Sequence, residues 1–307
     1  MFRPASLATT LTIVFLVAVG PLATDMYLPS FPTLMREFDA SAAEVQRTLS
    51  VFLIGFAVAQ LVYGPLSDRF GRKPVLLGGM LLFVLSSLGA AAADSVGTLT
   101  VMRLLQAMGG SAGPVLGRAM VRDIHGPRES ARLLSYIAAA MAVAPAVAPL
   151  LGGYLTVWFG WSSIFACLCL YGLAGMLVLA LKVPETAPVG SHRVLTPSAI
   201  LGDFATLLRD RRWCSYTLCL GAAYSGLFAF LSGSAFVIID FFGYPEQRFG
   251  LFFALVVCGY MAGTLSAGRL AGRLSTRTLV GYGSAIAATS GVVMAALALA
   301  RVDSVWA

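Results

Sequence analysis

Two charged residues lie inside long apolar stretches, where charge is costly, and they are the first candidates for chemistry. Asp25 lies in the segment Ala23-Thr-Asp-Met-Tyr-Leu-Pro29, which also contains Tyr27. Arg103 lies inside another apolar stretch, three residues before Gln106. A carboxylate removed from water favours its protonated form, so Asp25 could exchange a proton for a cation or polar substrate. Arginine inside a span needs protein or water around it. The alternatives are a permanently wet acid at the outer mouth and an arginine that snorkels to the surface.

A short polar segment, Gly64-Pro-Leu-Ser-Asp-Arg-Phe-Gly-Arg-Lys-Pro74, carries four charges between two apolar runs. Its first glycine can end a helix, its second can adopt a positive φ, and its last proline suits the start of the next helix. Basic residues alone would anchor the loop at the membrane surface. An acid held among them adds a contact that can form and break, which predicts a gating loop. Its residues are Gly64, Asp68, Arg69, Gly71 and Arg72.

The fifth apolar run combines helix-bending residues with small ones. It contains Pro145, Pro149, Gly152 and Gly153. A proline removes a backbone hydrogen bond and bends the helix, and paired glycines let another helix approach closely. The pattern predicts a kinked, tightly packed element, although irregular packing without a role in transport would explain the same residues.

The composition indicates a protein that crosses a bilayer many times. Apolar residues make up 58% and charged residues 11% of the 307 residues, against about 25% charged in soluble domains. A membrane helix needs about 20 mostly apolar residues. Such runs lie at 7–28, 47–64, 75–93, 97–118, 133–156, 161–182, 213–238, 248–270 and 278–300. These nine runs predict an all-α membrane protein.

The basic residues are distributed unevenly between the two ends of these runs. If the runs alternate in direction, sixteen of the 21 lysines and arginines fall on one side and four on the other. Loops rich in lysine and arginine stay in the cytoplasm, so we expect the N-terminus inside. The net charge of +7 is then an orientation signal rather than a nucleic-acid surface. A signal peptide at 7–28 is disfavoured because the run holds Pro21 and Asp25 and eight more runs follow.

Residues that commonly bind metals or carry out catalysis are scattered. The five cysteines all lie in apolar runs and both histidines lie in polar loops. The sequence has no metal-ligand spacing, no nucleophile with a base, and no sizeable soluble domain. These observations argue against an enzyme, a receptor with a soluble domain or a metalloprotein.

A polar segment at 184–212 divides the chain into six runs before it and three after it. Within it, Thr196-Pro197 can start a short amphipathic helix. The predicted domains are a six-helix bundle at 1–183, a cytoplasmic linker at 184–212 and an incomplete second bundle at 213–307. The segment Gly268-Arg-Leu-Ala-Gly-Arg273 follows the eighth run as the gating loop follows the second, which indicates a duplicated six-helix unit.

These motifs resemble those of one transporter superfamily. The loop at 64–74 is similar to the signature loop of the major facilitator superfamily, and Arg103-x-x-Gln106-x-x-Gly109 resembles its fourth-helix motif. Ala148-Pro-Leu-Leu-Gly-Gly153 resembles its antiporter motif, with Ala148 in place of the usual glycine. The segments 24–32, 118–123 and 226–236 narrow the resemblance to the bicyclomycin/chloramphenicol-resistance (Bcr/CflA) family of drug–proton antiporters.

The resemblance implies a fold and a transport cycle. The fold is two six-helix bundles that alternately open a central cavity, with the last three helices beyond this sequence. Asp25 would carry a proton or meet substrate, Arg103 would tune that protonation, and Arg72 would pair with Asp123. Pro149 with the two glycines would seal against leak. Because the cavity needs both bundles, residues 1–307 alone are expected not to confer export.

The resemblance also implies an activity and a location. It implies a monomer in the bacterial inner membrane that exports drug-like compounds, such as chloramphenicol or bicyclomycin. The proton gradient would drive export without a cofactor. A proton-coupled importer of a small nutrient in the same fold is the alternative, and the antiporter-like fifth run argues against it.

Overall fold

The computed structural model describes residues 6–125, 127–187, 202, 205–270 and 273–300. All regular elements among these residues are helical, which confirms the predicted all-α class. The amphipathic helix predicted after Thr196 falls mostly outside the described residues, as do Ala271, Gly272 and the chain from Arg301. The chain divides into two compact units: Met1–Val194 with Pro245–Ala254, and Leu195–Tyr244 with Leu255–Ala307.

Among the described residues, the first unit contains nine α-helices and the first turns of a later helix that is described below. These are α1 (Leu7–Val17), α2 (Val19–Asp25), α3 (Phe31–Glu37), α4 (Ala42–Phe70), α5 (Arg72–Ala91), α6 (Val96–Gly110), α7 (Ala112–Ile124), α8 (Pro127–Phe159) and α9 (Ser162–Lys182). Its most extensive contacts join α5 to α9, α4 to α6 and α5 to α6. The core therefore lies where the second, third, fourth and sixth apolar runs meet.

The first apolar run is not one continuous helix. α2 ends at Asp25, and a 3-10 turn at Leu28–Ser30 leads into α3. Pro29 lacks a backbone donor, and the Ser30 hydroxyl donates to the Tyr27 carbonyl at 2.7 Å, which stabilises the turn. The chain is therefore irregular just after Asp25, and the apolar stretch continues past residue 28 to Glu37.

The fourth apolar run is also divided, into α6 and α7 at Ser111. The Ser111 hydroxyl donates to the Met108 carbonyl at 2.9 Å, which closes the end of α6. A Cβ atom at Gly109 would lie 2.5 Å from the Phe83 backbone nitrogen and 2.6 Å from the Gly79 oxygen. α6 therefore approaches α5 at backbone distance, and only glycine fits there.

Each of the nine predicted runs coincides with a described helix or pair of helices. Within the described parts of the chain, seven helical stretches are long and apolar enough to cross a membrane. The fourth run is not among them because its two helices are short, and the fifth contributes the shorter apolar stretch Val143–Phe159. The chain is a multi-pass membrane protein.

The second unit contains α10 (Arg211–Ala235), a π-helical turn (Phe236–Phe241), the end of α11 (Glu246–Leu270) and α12 (Thr276–Leu299). Asp210 caps α10, since its carboxylate accepts from the Arg212 backbone N–H at 2.8 Å. The most apolar part of α12 has no residue buried in the structure, against half of that of α5. A helix this apolar needs lipid or further protein around it. The first residues of α11, to Ala254, belong to the first unit.

Candidate functional site

Arg103 is completely buried in the first unit and is tied to the break in the first span. Its Nη1 donates to the Ala23 carbonyl at 3.0 Å and to Gln106 Oε1 at 2.6 Å. The Gln106 amide nitrogen then donates to the Ser87 hydroxyl at 2.8 Å. The arginine does not snorkel to the surface in this structure; it links α2 to α5 through a chain of polar groups.

Three aromatic rings surround the guanidinium group. Its central carbon lies 4.0 Å from the ring centre of Phe52, 4.6 Å from that of Tyr27 and 5.9 Å from that of Phe165. The Tyr27 hydroxyl is hydrogen-bonded to the Thr48 hydroxyl at 2.8 Å. Aromatic faces attract cations, more strongly when water is excluded. This arrangement, which we call the arginine cage (Arg103, Tyr27, Phe52 and Phe165), makes a buried charge tolerable.

The cage leaves part of the guanidinium group unsatisfied. Arg103 Nε and Nη2 are buried without a hydrogen-bond partner among the described residues. Unpaired buried donors cost about 1–3 kcal/mol each, and more on a charged group. The site is therefore poised to gain an acceptor, from water, from substrate or from a carboxylate that moves.

Asp25 lies two residues after Ala23, whose carbonyl accepts a hydrogen bond from Arg103. It is 5% exposed, so in this conformation it is not the permanently wet acid of the alternative interpretation. No described residue gives it a hydrogen bond or an ion pair, and Arg103 is not its partner. Ionised carboxylates are costly to bury unpaired, whereas protonated ones are not. The structure thus brings Asp25, Tyr27, Arg103 and Gln106 to one region without joining the acid to the base.

The gating loop forms the ion pair that the sequence predicted. Arg72 Nε donates to Asp123 Oδ2 at 3.0 Å, and its Nη1 contacts Asp68 at 2.6 Å and the Ser67 hydroxyl at 2.6 Å. Gly71 has a φ of 94°, the positive value predicted for it. Gly64 does not end a helix, which corrects one detail: α4 continues to Phe70, and Gly71 caps it by donating to the Ser67 carbonyl at 3.0 Å.

Glu185 holds the same loop from the end of the sixth span, a contact that no sequence pattern predicted. Its carboxylate accepts from the backbone N–H groups of Arg72 at 3.0 Å and Lys73 at 3.1 Å, at the N-terminus of α5. Carboxylates are stabilising at that end of a helix. The Arg69 guanidinium, by contrast, lies over the Phe70 ring at 5.2 Å and makes no ion pair in the described part of the loop.

Charge reversal tests the Arg72–Asp123 pair. Arg72→Asp and Asp123→Arg should each lower transport about tenfold or more, since each turns a charge-assisted hydrogen bond into a repulsion. The double swap should restore part of the activity. Rescue will be incomplete because Asp68 would then face a second carboxylate.

Arg122→Asp is the matched control for this pair, because it makes the same charge change at an exposed neighbouring position. We expect it to have a smaller effect. Drug export from cells with matched protein levels is the measurement. A double swap no better than either single change would count against the pair.

The glycines of the fifth run lie at two backbone contacts. A Cβ atom at Gly152 would lie 1.9 Å from the Met26 carbonyl oxygen, and one at Gly153 would lie 2.6 Å from the Glu246 carbonyl oxygen. We call Gly152 and Gly153 the glycine seal. Pro145 and Pro149 both lie inside the single helix α8, so the prolines do not interrupt the element that carries the seal.

No group of three or more His, Cys, Asp or Glu side chains within the described ranges is placed to hold a metal ion. The polar chain at Arg103, the loop ion pair and the glycine seal each join helices that are distant in the sequence, as the resemblance to a transporter superfamily leads one to expect. Comparison with known proteins supports this: the profile described as Major Facilitator Superfamily matches residues 13–307. The chain belongs to the major facilitator superfamily.

Individual relatives place the chain more narrowly. It is 32% identical to the bicyclomycin resistance protein homolog of Haemophilus influenzae, over 94% of this chain and 74% of that protein. It is also 32% identical to the chloramphenicol resistance protein of Pseudomonas aeruginosa, over 100% of this chain and 71% of that protein. These matches confirm the resemblance to the drug-resistance branch of the superfamily.

Solved structures confirm the fold. The chain superimposes on a bacterial homolog of the human lysosomal transporter Spinster, in an inward-facing and unoccupied conformation, with a TM-score of 0.69 and 17% identity. The match covers 86% of this chain and 63% of that one. The architecture is the major facilitator fold.

Proposed function

We propose that this protein exports drug-like compounds across the bacterial inner membrane in exchange for protons. One observation carries the proposal: Asp25 is 5% exposed and has no hydrogen-bond or ion-pair partner among the described residues, and it lies two positions after the Ala23 carbonyl held by Arg103, whose Nε and Nη2 are unpaired. Such a carboxylate is stable when protonated and needs a new partner when it loses the proton. The similar bicyclomycin and chloramphenicol resistance proteins support drug-like substrates, with chloramphenicol and bicyclomycin as the first candidates.

In the proposed cycle Arg103 sets the position and the charge balance of Asp25. Its bond to the Ala23 carbonyl fixes the end of α2, and its unpaired Nε and Nη2 are available to a carboxylate that swings towards them. An approaching cation lowers the cost of ionising the acid. A cationic or polar substrate near Asp25 would have the same effect, so that substrate binding and proton release are linked.

The other two elements would control access. The Arg72 pairs with Asp68 and Asp123 would hold the gating-loop end in one state, and the glycine seal would block leak at the opposite end. The excess of basic residues on the loop side supports a cytoplasmic position for that side and for the N-terminus. We further propose a monomer with bundles at 1–183 and 213–307, joined by the linker at 184–212 and driven by protons without a cofactor.

Transport into everted membrane vesicles tests this function. A panel containing chloramphenicol, bicyclomycin and a cationic dye is added outside, with the vesicle lumen made acidic. We expect at least one compound to accumulate only in vesicles that carry the protein with both bundles complete, and a protonophore to abolish the accumulation. An importer would move its substrate out of such vesicles. Accumulation that does not depend on the pH gradient would contradict proton exchange.

A further inference from the structure

Glu246, the first residue of α11, makes polar contacts with the end of the first span. Its Oε1 accepts from the Thr33 hydroxyl at 2.5 Å and lies 3.4 Å from Arg36 Nη2. Arg36 Nη2 also donates to the Thr33 hydroxyl at 2.9 Å, so the three side chains form a triangle. Thr33 and Arg36 lie on α3, 213 and 210 positions earlier in the chain.

This triangle lies at the same place as the glycine seal. The Glu246 carbonyl covers Gly153, and one turn later a Cβ atom at Gly250 would lie 2.6 Å from the Leu150 side chain. The first turns of α11 therefore pack against α8 at backbone distance, and the Glu246 carboxylate joins them to α3. Phe249, between them, is 1% exposed.

The charges of the triangle are unequally exposed. The Glu246 side chain is 10% exposed, whereas that of Arg36 is 63% exposed. An exposed ion pair contributes little by itself. A buried carboxylate depends on its hydrogen bonds, and charge-assisted ones are about twice as strong as neutral ones. Separating α11 from α3 would deprive Glu246 of its contacts with Thr33 and Arg36, so the carboxylate favours the arrangement in which α11 and α3 are in contact.

We propose that Glu246 is a positioning residue of the transport cycle: with Thr33 and Arg36 it latches the mouth opposite the gating loop, over the glycine seal. Opening that mouth requires the carboxylate to leave Thr33 and Arg36 and meet water. The latch belongs to the cycle proposed above, yet its test measures access to the mouth rather than export, so that either proposal can fail alone.

Thiol labelling in detergent measures this access without any assumption about orientation. The five native cysteines are replaced by alanine, and Phe249→Cys supplies a buried reporter at the latch. Glu246→Gln keeps the shape and an acceptor oxygen but removes the charge. We expect it to raise the labelling rate about tenfold, as for loss of one charge-assisted hydrogen bond. Glu246→Ala, which removes the acceptor as well, should raise the rate further.

Two controls separate a latch from general loosening. Asp39→Asn removes an exposed carboxylate near the same end and should leave the labelling rate unchanged. A second reporter, Leu76→Cys, is buried in α5 near the gating loop and should not respond to Glu246→Gln. An equal rise at both reporters would show a merely structural role and overturn the proposal.

A charge swap completes the test. Arg36→Glu with Glu246→Arg places the same two charges in exchanged positions, with Thr33 still within reach of either. It should return labelling at Phe249→Cys towards the wild-type rate, whereas each single change should not. Wild-type labelling in both Glu246→Gln and Glu246→Ala would also refute the latch, provided that the variants remain monodisperse.

Discussion

Export by a Gly152→Ala variant is expected to fall to the level of cells without the protein. The added methyl group would overlap the Met26 carbonyl oxygen, which lies 1.9 Å from the Cβ position. That neighbour is backbone at the break in the first span, three residues after Ala23, whose carbonyl accepts from Arg103. It cannot rotate away as a side chain can. Overpacking a tight contact costs about 1–3 kcal/mol, and more where backbone must move.

Gly78→Ala is the matched control for this substitution, because nothing lies within 4 Å of a Cβ atom at Gly78. In a helix interior alanine is favoured over glycine by about 0.5–1 kcal/mol, so this variant should be at least as stable as the wild type. Thermal unfolding in detergent and drug export from cells are the two measurements. If Gly152→Ala matches Gly78→Ala in both, the contact with Met26 is not tight in the working protein.

Asp25→Asn should abolish proton-coupled export while leaving the protein folded. Asparagine has the same shape as a protonated aspartate, and it fills the buried position without needing an ionised state. It cannot release a proton, however, so a substrate that depends on that release has nothing to exchange with. Substrate-induced proton release from the purified protein, at matched expression, measures this directly.

Asp94→Asn provides the comparison, because Asp94 is exposed at the turn before α6 and its oxygen serves Thr98 as an acceptor that asparagine can replace. We expect normal proton release from it. If a further acid beyond residues 1–307 also carries protons, Asp25→Asn should reduce the export of neutral substrates less than that of cationic ones. Unchanged proton release in the Asp25→Asn variant would show that Asp25 does not carry the exchanged proton.

The residues that could be predicted from the sequence are those whose type is unusual for their surroundings. Asp25 and Arg103 stand in apolar runs, and Gly71 and Arg72 crowd a very short turn, so composition alone marks them. The Arg72–Asp123 contact was expected because the superfamily resemblance implies it and both residues lie on the predicted inner side. The nine runs were predictable because lipid demands long apolar helices.

The residues that the sequence did not reveal look ordinary where they stand. Phe52 and Phe165 are aromatic residues among many in apolar runs, and the Ala23 carbonyl has no side-chain signature at all. Glu185 and Glu246 lie at the ends of runs, where acids are normally solvated. Only folding brings Glu185 to a backbone 113 positions away and Glu246 to Thr33 213 positions away. Pairings of this kind depend on helix packing, which local sequence does not encode.

The carboxylate of Glu185 has a mechanical consequence. It accepts hydrogen bonds from the backbone N–H groups of Arg72 and Lys73. In turn, the Lys73 ammonium group donates to the Ala180 carbonyl at 2.8 Å. The chain that leaves α9 is therefore clamped to the first turn of α5 before it continues past Ala187. A displacement of Glu185 would therefore also displace the backbone next to Arg72. We therefore expect the length of the segment that follows Glu185, and not only its composition, to affect the ion pairs of the gating loop.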